Sequence, residues 1–153
     1  MTAEDDVRYM RMAIDASHEA LREGNMPYGA VLVSAGGDLV HVSRNNQVTS
    51  GDCTGHAETV LIREACAAYG ADQLAGATVY ASGEPCAMCA GALFWARVAR
   101  VVFGASNESI MAIGGPPTLA LNTAAVLATG SHAVQVEGPL LEQEAVAVLR
   151  QKS

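Results

Sequence analysis

The sequence predicts an α/β three-layer sandwich, a mixed sheet of about five strands with helices on both faces. Three observations carry that expectation. Half of the 153 residues are apolar and only 16% are charged, so the chain can bury a core and does not have the composition of a disordered segment. The apolar residues alternate between helical and extended spacing along the chain. The segments then run helix, hairpin, helix, strand, helix, strand, and strands interleaved with helices build a sheet covered on both sides. At this length one domain, residues 1–153, is expected.

Residues 5–23 place Val7, Met10, Ile14, Ser17 and Leu21 at three- and four-residue steps, the spacing of one helix face. Glu4, Asp5 and Asp6 read as a solvated first turn that complements the positive helix start. Gly24-Asn25-Met26-Pro27 ends that helix. Residues 29–34 and Leu39–Arg44 are extended runs around the turn residues Gly36-Gly37-Asp38, which predicts a hairpin. A polar loop over 45–54 follows, then a helix over 55–69, a strand over 77–82 and an Ala-, Met- and Leu-rich helix over 86–96. Arg100–Ala105 and, more weakly, Val134–Glu137 read as strands, and Glu142–Lys152 as a final helix. Thr118–Leu127 fits either a helix or an ordered loop.

Nine basic residues against sixteen acidic ones give a net charge of −7. That balance argues against a protein whose main work is gripping phosphate backbones, so nucleic acid is not the expected partner. No stretch approaches eighteen apolar residues, and Met-Thr-Ala-Glu-Asp-Asp lacks the positive and apolar regions of a secretory signal. The chain ends Gln151-Lys152-Ser153, without a lipidation box. The cysteines are Cys53, Cys66, Cys86 and Cys89; without a signal they read as a metal or reactive set in a cytoplasmic protein.

The chemistry concentrates in His56-Ala57-Glu58, Pro85-Cys86 and Cys89. Cys86 and Cys89 are three apart, so at a helix start both thiolates can reach one ion, and the positive helix end favours the thiolate. His56 supplies a third donor. One nitrogen and two sulfurs suit Zn²⁺. Three protein ligands leave a fourth position open, as in catalytic rather than structural zinc sites. Glu58 then stands where a carboxylate can move a proton to and from water beside the metal. Glu84 is placed to orient the cysteine loop through hydrogen bonds, or else pairs with an Arg on the surface. A closed site with Cys53 as fourth ligand and a thioredoxin-type redox pair are the alternatives for the cysteines. Cys66 reads as packing, and His18, His41 and His132 as surface or capping residues. Arg97 and Arg100 read as complementing a helix end.

His-x-Glu followed by Pro-Cys-x-x-Cys is the signature of zinc nucleobase deaminases. From about Arg8 to Arg150 the chain resembles the cytidine/deoxycytidylate deaminase superfamily, most closely the small bacterial guanine deaminases and next the tRNA adenosine deaminases. The resemblance rests on Pro27-Tyr28-Gly29-Ala30-Val31, Asn45-Asn46, His56-Ala57-Glu58, Glu84-Pro85-Cys86-Ala87-Met88-Cys89, Ala90-Gly91-Ala92 and Phe94-Trp95-Ala96-Arg97. It implies zinc on His56, Cys86 and Cys89, proton transfer by Glu58, a hydrogen bond from Asn45 to the base and an Ala57 N–H facing a ring atom. It also implies Tyr28 against the ring, Trp95 as a core or pocket-wall residue, and a homodimer. The activity implied is hydrolytic deamination of a small amino heterocycle, a guanine-like purine before a cytosine-type ring.

Two departures bear on the substrate. Where guanine deaminases carry an acidic residue that reads guanine's N–H edge, this chain has Pro117, so either another acceptor serves, such as Glu108, Glu142 or Glu144, or the favoured ring lacks that edge. Their aromatic C-terminal segment is also missing. Where the tRNA enzymes have a basic segment, Ser106-Asn107-Glu108-Ser109 stands. A non-enzymatic zinc module is a further class, and Glu58 speaks against it, because a structural site needs no carboxylate at an open position.

Overall fold

The protein is described here from a computed structural model, which covers residues 1–151. The chain runs α1 (Ala3–Arg22), β1 (Gly29–Val33), β2 (Val40–Arg44), α2 (Gln47–Ser50) and α3 (Ala57–Tyr69), then a 3₁₀ turn (Ala71–Leu74). It continues through β3 (Thr78–Gly83), α4 (Ala87–Trp95), β4 (Arg100–Ala105), α5 (Asn107–Ala112), α6 (Thr123–Leu127), β5 (Gln135–Glu137) and α7 (Glu142–Arg150). The five strands form one sheet in the order β2-β1-β3-β4-β5. β1 is antiparallel to both β2 and β3, while β3, β4 and β5 are parallel. This is the mixed five-stranded α/β sandwich that the segment order implies.

Alternation along the central strands builds two cores. Ala30, Leu32, Val79 and Val101 point to one face, where they meet Leu61 of α3, Leu93 of α4 and Leu127 of α6. Val31, Val33, Tyr80 and Val102 point to the other, against Met10 and Ile14 of α1 and Val146 and Val148 of α7. Each fully buried side chain of this size contributes about 1.5–3 kcal/mol. The approach of α1 to the sheet is close: a Cβ on Gly29 would lie 2.2 Å from the Ala13 carbonyl oxygen. No helix among the described residues is long and apolar enough to cross a membrane.

Three expectations change in detail. The loop over 45–54 contains the short helix α2, and a further short helix, α5, follows β4 with Ser106 Oγ accepting from Ser109 N–H at 3.1 Å. The ambiguous stretch 118–127 resolves into an irregular half and α6, started by Asn122 Oδ1 accepting from Ala125 N–H at 2.8 Å. The last helix is assigned to Arg150; Lys152 lies outside the described residues.

The acidic first turn is not uniformly solvated. Thr2 and Asp5 form a capping box, Thr2 Oγ1 accepting from Asp5 N–H at 3.1 Å and Asp5 Oδ2 from Thr2 N–H at 3.0 Å. Asp6 instead turns inward and accepts from Arg100 at 2.8 and 2.7 Å and from the Tyr80 hydroxyl at 2.6 Å. Arg100 therefore complements no helix end; it lies on β4 and also binds Glu137 of β5. Arg97 sits just past α4 with φ of 60° and pairs with Asp72 at 3.4 Å.

The Arg100 hydrogen bonds, aided by Tyr80, hold the Asp6 carboxyl below its ordinary value of 3.8 against the opposing effect of burial. A depressed carboxylate pKa adds stability above the unfolded value, and that contribution disappears as pH falls through the folded value. Asp6→Asn should therefore lower stability by about 2 kcal/mol at neutral pH and flatten the loss of stability below pH ~4. Chemical denaturation of both proteins across that range measures it, and parallel acid limbs would exclude this role for Asp6.

Candidate metal centre

Because β1 runs against both neighbours, its first residue lies beside the ends of β2 and β3. Gly29 is opposite Arg44, Ala30 opposite Ala81, and Gly83 opposite Ala105. Tyr28, Asn45, Glu84 and Asn107, each within two residues of one of these strand ends, are thereby brought to one end of the sheet. They line a single cavity of about 320 Å³ together with His56, Ala57, Glu58 and Cys86.

Both helices that carry the expected ligands begin at this cavity. His56 is the N-cap residue of α3 and Cys86 that of α4, with extended backbone angles, and Cys89 lies in the first turn of α4. His56 Nδ1 is 3.5 Å from Cys86 Sγ and 3.6 Å from Cys89 Sγ. A tetrahedral zinc with Zn–N and Zn–S bonds of about 2.0 and 2.3 Å sets nitrogen and sulfur about 3.5 Å apart, so the spacing fits one shared ion. Among the described residues this trio is the cluster of His, Cys, Asp and Glu able to hold a metal, its donor atoms all within 4.8 Å. Cys53 is exposed and free, and a closed four-ligand site does not form.

The electrostatics of the trio also call for a cation. The Cys86 thiol is pushed down to about 4, chiefly by a hydrogen bond from Cys89 and then by His56. Cys89 is pushed far up, because it donates to Cys86 and is buried beside that charge and Glu58. His56 is raised, first by its contact with Cys86. Without a metal the two sulfurs thus share one proton, and a bound divalent ion is what allows both to ionise.

Glu58 lies in the first turn of α3, buried at 5% exposure, outside the donor cluster. Burial is the main cause that lifts its carboxyl to about 7. Asn45 is buried, its Oδ1 accepting from Gln47 N–H at 3.0 Å and its Nδ2 donating to Gln47 Oε1 at 2.7 Å. The Tyr28 ring lies on Gly83, where a Cβ would come within 2.7 Å of it. Burial raises the Tyr28 phenol to about 12, with Glu58 adding to the effect. Glu84 makes neither a surface ion pair nor a bond to a cysteine: its Oε1 accepts from Asn107 N–H at 2.9 Å.

Trp95 does not belong here. It is 81% exposed at the far end of α4, and nine helical residues at about 1.5 Å each separate it from Cys86 by more than 10 Å. Its neighbour Phe94 turns inward and stacks on His132 at 4.4 Å, so that histidine is half-buried rather than a surface group. His41 is half-buried too, between the Tyr69 hydroxyl at 3.2 Å and Glu64 at 3.1 Å. Cys66 packs against the core around α3 as expected.

The cavity also takes in residues of the loops 45–54 and 106–118, which the sequence offers as pocket-shaping segments, and Met26, which nothing in the sequence singles out. Met26 and Gln47 form one side, and Ile110, Met111, Pro116 and Thr118 form a wall after β4. Pro117 lines that wall, as alignment implied. Glu108, Glu142 and Glu144 do not line the cavity; Glu142 accepts from Ser106 N–H at 2.8 Å and Glu144 pairs with Arg11 at 3.2 Å.

The trio's geometry sets an expected outcome for metal analysis. The purified protein should carry close to one zinc per chain, and Cys86→Ala or Cys89→Ala should lose it and fold poorly, because metal binding and folding are linked. Full zinc occupancy in either variant, by elemental analysis, would overturn the ligand set.

Residues 3–105 match the family profile described as the cytidine and deoxycytidylate deaminase zinc-binding region. A probable cytosine deaminase of Schizosaccharomyces pombe is 39% identical over 148 residues, covering 94% of this chain and 90% of its own. A guanine deaminase of Bacillus subtilis is 38% identical over 107 residues, covering 69% of this chain and 68% of its own. A structure from studies of A-to-I editing by tRNA:A34 deaminases superposes with a TM-score of 0.75 at 31% identity, over 93% of this chain and 99% of that one. With a zinc-type trio at the sheet end and a profile match across two thirds of its length, the chain belongs to the cytidine and deoxycytidylate deaminase family.

Proposed function

We propose that this protein is a zinc-dependent aminohydrolase that converts a small, uncharged amino heterocycle to its oxo product and ammonia. The observation that carries this reading is Glu58: a buried carboxylate beside, and not within, a three-donor metal cluster at the floor of a cavity. In this reading His56, Cys86 and Cys89 hold zinc. Zinc, when bound there, lowers the pKa of water to about 7 and so supplies hydroxide at neutral pH. Glu58 takes the proton released by the attacking water and delivers it to the ring nitrogen next to the carbon attacked. It then takes the remaining proton from the hydroxyl just added and passes it to the amine, which leaves as ammonia as the carbon–nitrogen bond breaks and the ring carbon keeps the oxygen as a carbonyl. Asn45, already fixed by Gln47, offers its remaining donor and acceptor to the ring, the Ala57 N–H faces a ring atom, and Tyr28 supplies a flat apolar side. Glu84, itself on the cavity lining, holds Asn107.

A guanine-like purine is the favoured ring, supported by the likeness to guanine deaminases through Pro27–Val31, Asn45-Asn46 and Phe94–Arg97. A cytosine-type ring is the second reading. Pro117 favours it, because a proline side chain accepts no hydrogen bond from guanine's N–H edge, and a buried donor left unpaired costs about 1–3 kcal/mol. A tRNA substrate fits less well: among the described residues no Lys or Arg lines the cavity, and the net charge of −7 opposes a polyanion. The reading includes a cytoplasmic homodimer. α4 has no polar side chain, yet Met88 and Trp95 are exposed on it, and sedimentation of Trp95→Glu against the natural chain reports whether a second copy covers that face.

Ammonia release from guanine, 2,6-diaminopurine, adenine, cytosine, cytidine and a tRNA anticodon stem-loop tests the substrate. A purine should give the highest kcat/KM. If cytosine outruns every purine, the ring size is wrong and the deaminase reading stands; inosine in the tRNA loop promotes the polymer instead.

With the preferred substrate, Glu58→Gln should keep zinc and fold while losing turnover by about 10²–10⁴-fold. Near-normal turnover in that variant would remove the proton-transfer role.

A further inference from the structure

The cavity wall after β4 is tied at both ends to the two residues that precede Cys86. At its entry Asn107 N–H donates to Glu84 Oε1 at 2.9 Å, and Glu84 N–H donates to the Ala105 carbonyl at 2.8 Å. At its exit Thr123 Oγ1 donates to the Pro85 carbonyl at 2.5 Å. Thr123 is fully buried although it opens the five-residue helix α6. Its hydroxyl is not used to cap that helix, since the adjacent Asn122 does so.

What lies between these ties has little else to hold it. Gly114 and Gly115 bond back to Met111 and Ile110 at 3.1 and 2.9 Å. Residues 116–121 make no hydrogen bond among the described residues, and Leu119 and Leu121 are 65% and 58% exposed. Pro116, Pro117 and Thr118, which face the cavity, therefore depend on the next fixed point down the chain, and that point is Thr123.

We propose that Thr123 is a positioning residue: its hydrogen bond to the Pro85 carbonyl fixes the far end of the cavity wall and the peptide that leads into Cys86 at the same time. The carbonyl it binds belongs to the peptide joining Pro85 to Cys86, so turning that peptide moves the N-cap residue of α4. Wall and metal loop are thus set in register by two hydrogen bonds, one on each side of the wall. The metal half of this inference rests on the reading of Cys86 as a zinc ligand; the wall half does not.

The test compares Thr123→Val, Thr123→Ala and Thr123→Ser in the full, zinc-loaded chain. One readout is the rate of zinc transfer to a chromogenic chelator. The other is chymotrypsin cleavage after Leu119 or Leu121. Thr123→Val and Thr123→Ala should release zinc about tenfold faster, at the lower end of the effect of losing a partner behind a metal ligand. Both should be cut faster within 116–122, while Thr123→Ser, which keeps the donor, behaves as the natural chain in both assays. If Thr123→Val does not fold, Ala and Ser still differ by the hydroxyl alone. Unchanged zinc release and cleavage in the Ala variant, or equal impairment of Ser and Ala, overturns the proposal. A natural chain that holds no zinc refutes the ligand assignment instead, and the cleavage comparison then decides the wall.

Discussion

Two thiols and an imidazole packed within 4.8 Å of one another form an arrangement that is poorly satisfied by protons alone. One sulfur gives up its proton easily and the other holds it tightly, because the second negative charge would sit buried beside the first and near Glu58. A divalent cation resolves the conflict, since it neutralises both sulfurs and needs the imidazole neutral. The surrounding elements reinforce this. α3 starts just after His56 and α4 just after Cys86, so the positive ends of two helices point toward the cluster and favour the thiolates. Glu58, two residues after one ligand, inherits its position from the same helix start.

That convergence depends on the direction of one strand. If β1 ran parallel to β3, Tyr28 would lie at the opposite end of the sheet from Cys86. Antiparallel pairing on both sides of β1 brings the start of one strand and the ends of three others together. The opposite end of the sheet does different work. There Arg100 joins Asp6, Tyr80 and Glu137 and so links α1, β3, β4 and β5. Burial limits the wetting of these charges, and the pairing compensates for their desolvation. Chemistry and anchoring thus occupy opposite ends of one sheet.

The parts that were legible in the sequence are those set by local rules. The strand Arg100–Ala105 and the ligand spacing in α4 follow from a short apolar run and from helix geometry, and the strand's bounds hold to the residue. Trp95 shows where such rules stop. α4 is apolar all round, which normally marks a buried helix, but only Cys89, Ala90 and Leu93 of it are buried, and spacing alone does not say which face is covered. Asp6 misled for the converse reason: an acidic residue in a first helical turn looks solvated until a distant arginine is brought to it by the fold. The wall over 107–118 has no periodicity to read. Its shape comes from tertiary ties such as Glu84 to Asn107 and Thr123 to Pro85, made by residues 23 and 38 positions apart.

The wall also constrains what can sit above Glu58. Pro116 and Pro117 have no N–H to donate, and Ile110, Met111 and Met26 offer no strong polar group. Side-chain hydrogen bonding in the cavity, beside the expected metal ligands His56 and Cys86, therefore falls to the amides of Asn45, Gln47 and Asn107, the hydroxyls of Tyr28 and Thr118, and two carboxylates, Glu58 and Glu84. Glu84 already accepts from Asn107, and Glu58 faces the metal cluster. A phosphate brought against these residues would lose its water and meet carboxylates but, among the described residues, no Lys or Arg side chain, and stripping a charge of solvent without a partner is strongly unfavourable. A neutral ring loses little water and finds paired donors and acceptors of its own kind. On the proposed reading the lining away from the metal ligands therefore suits a neutral ring better than a phosphate, before the identity of the ring is considered.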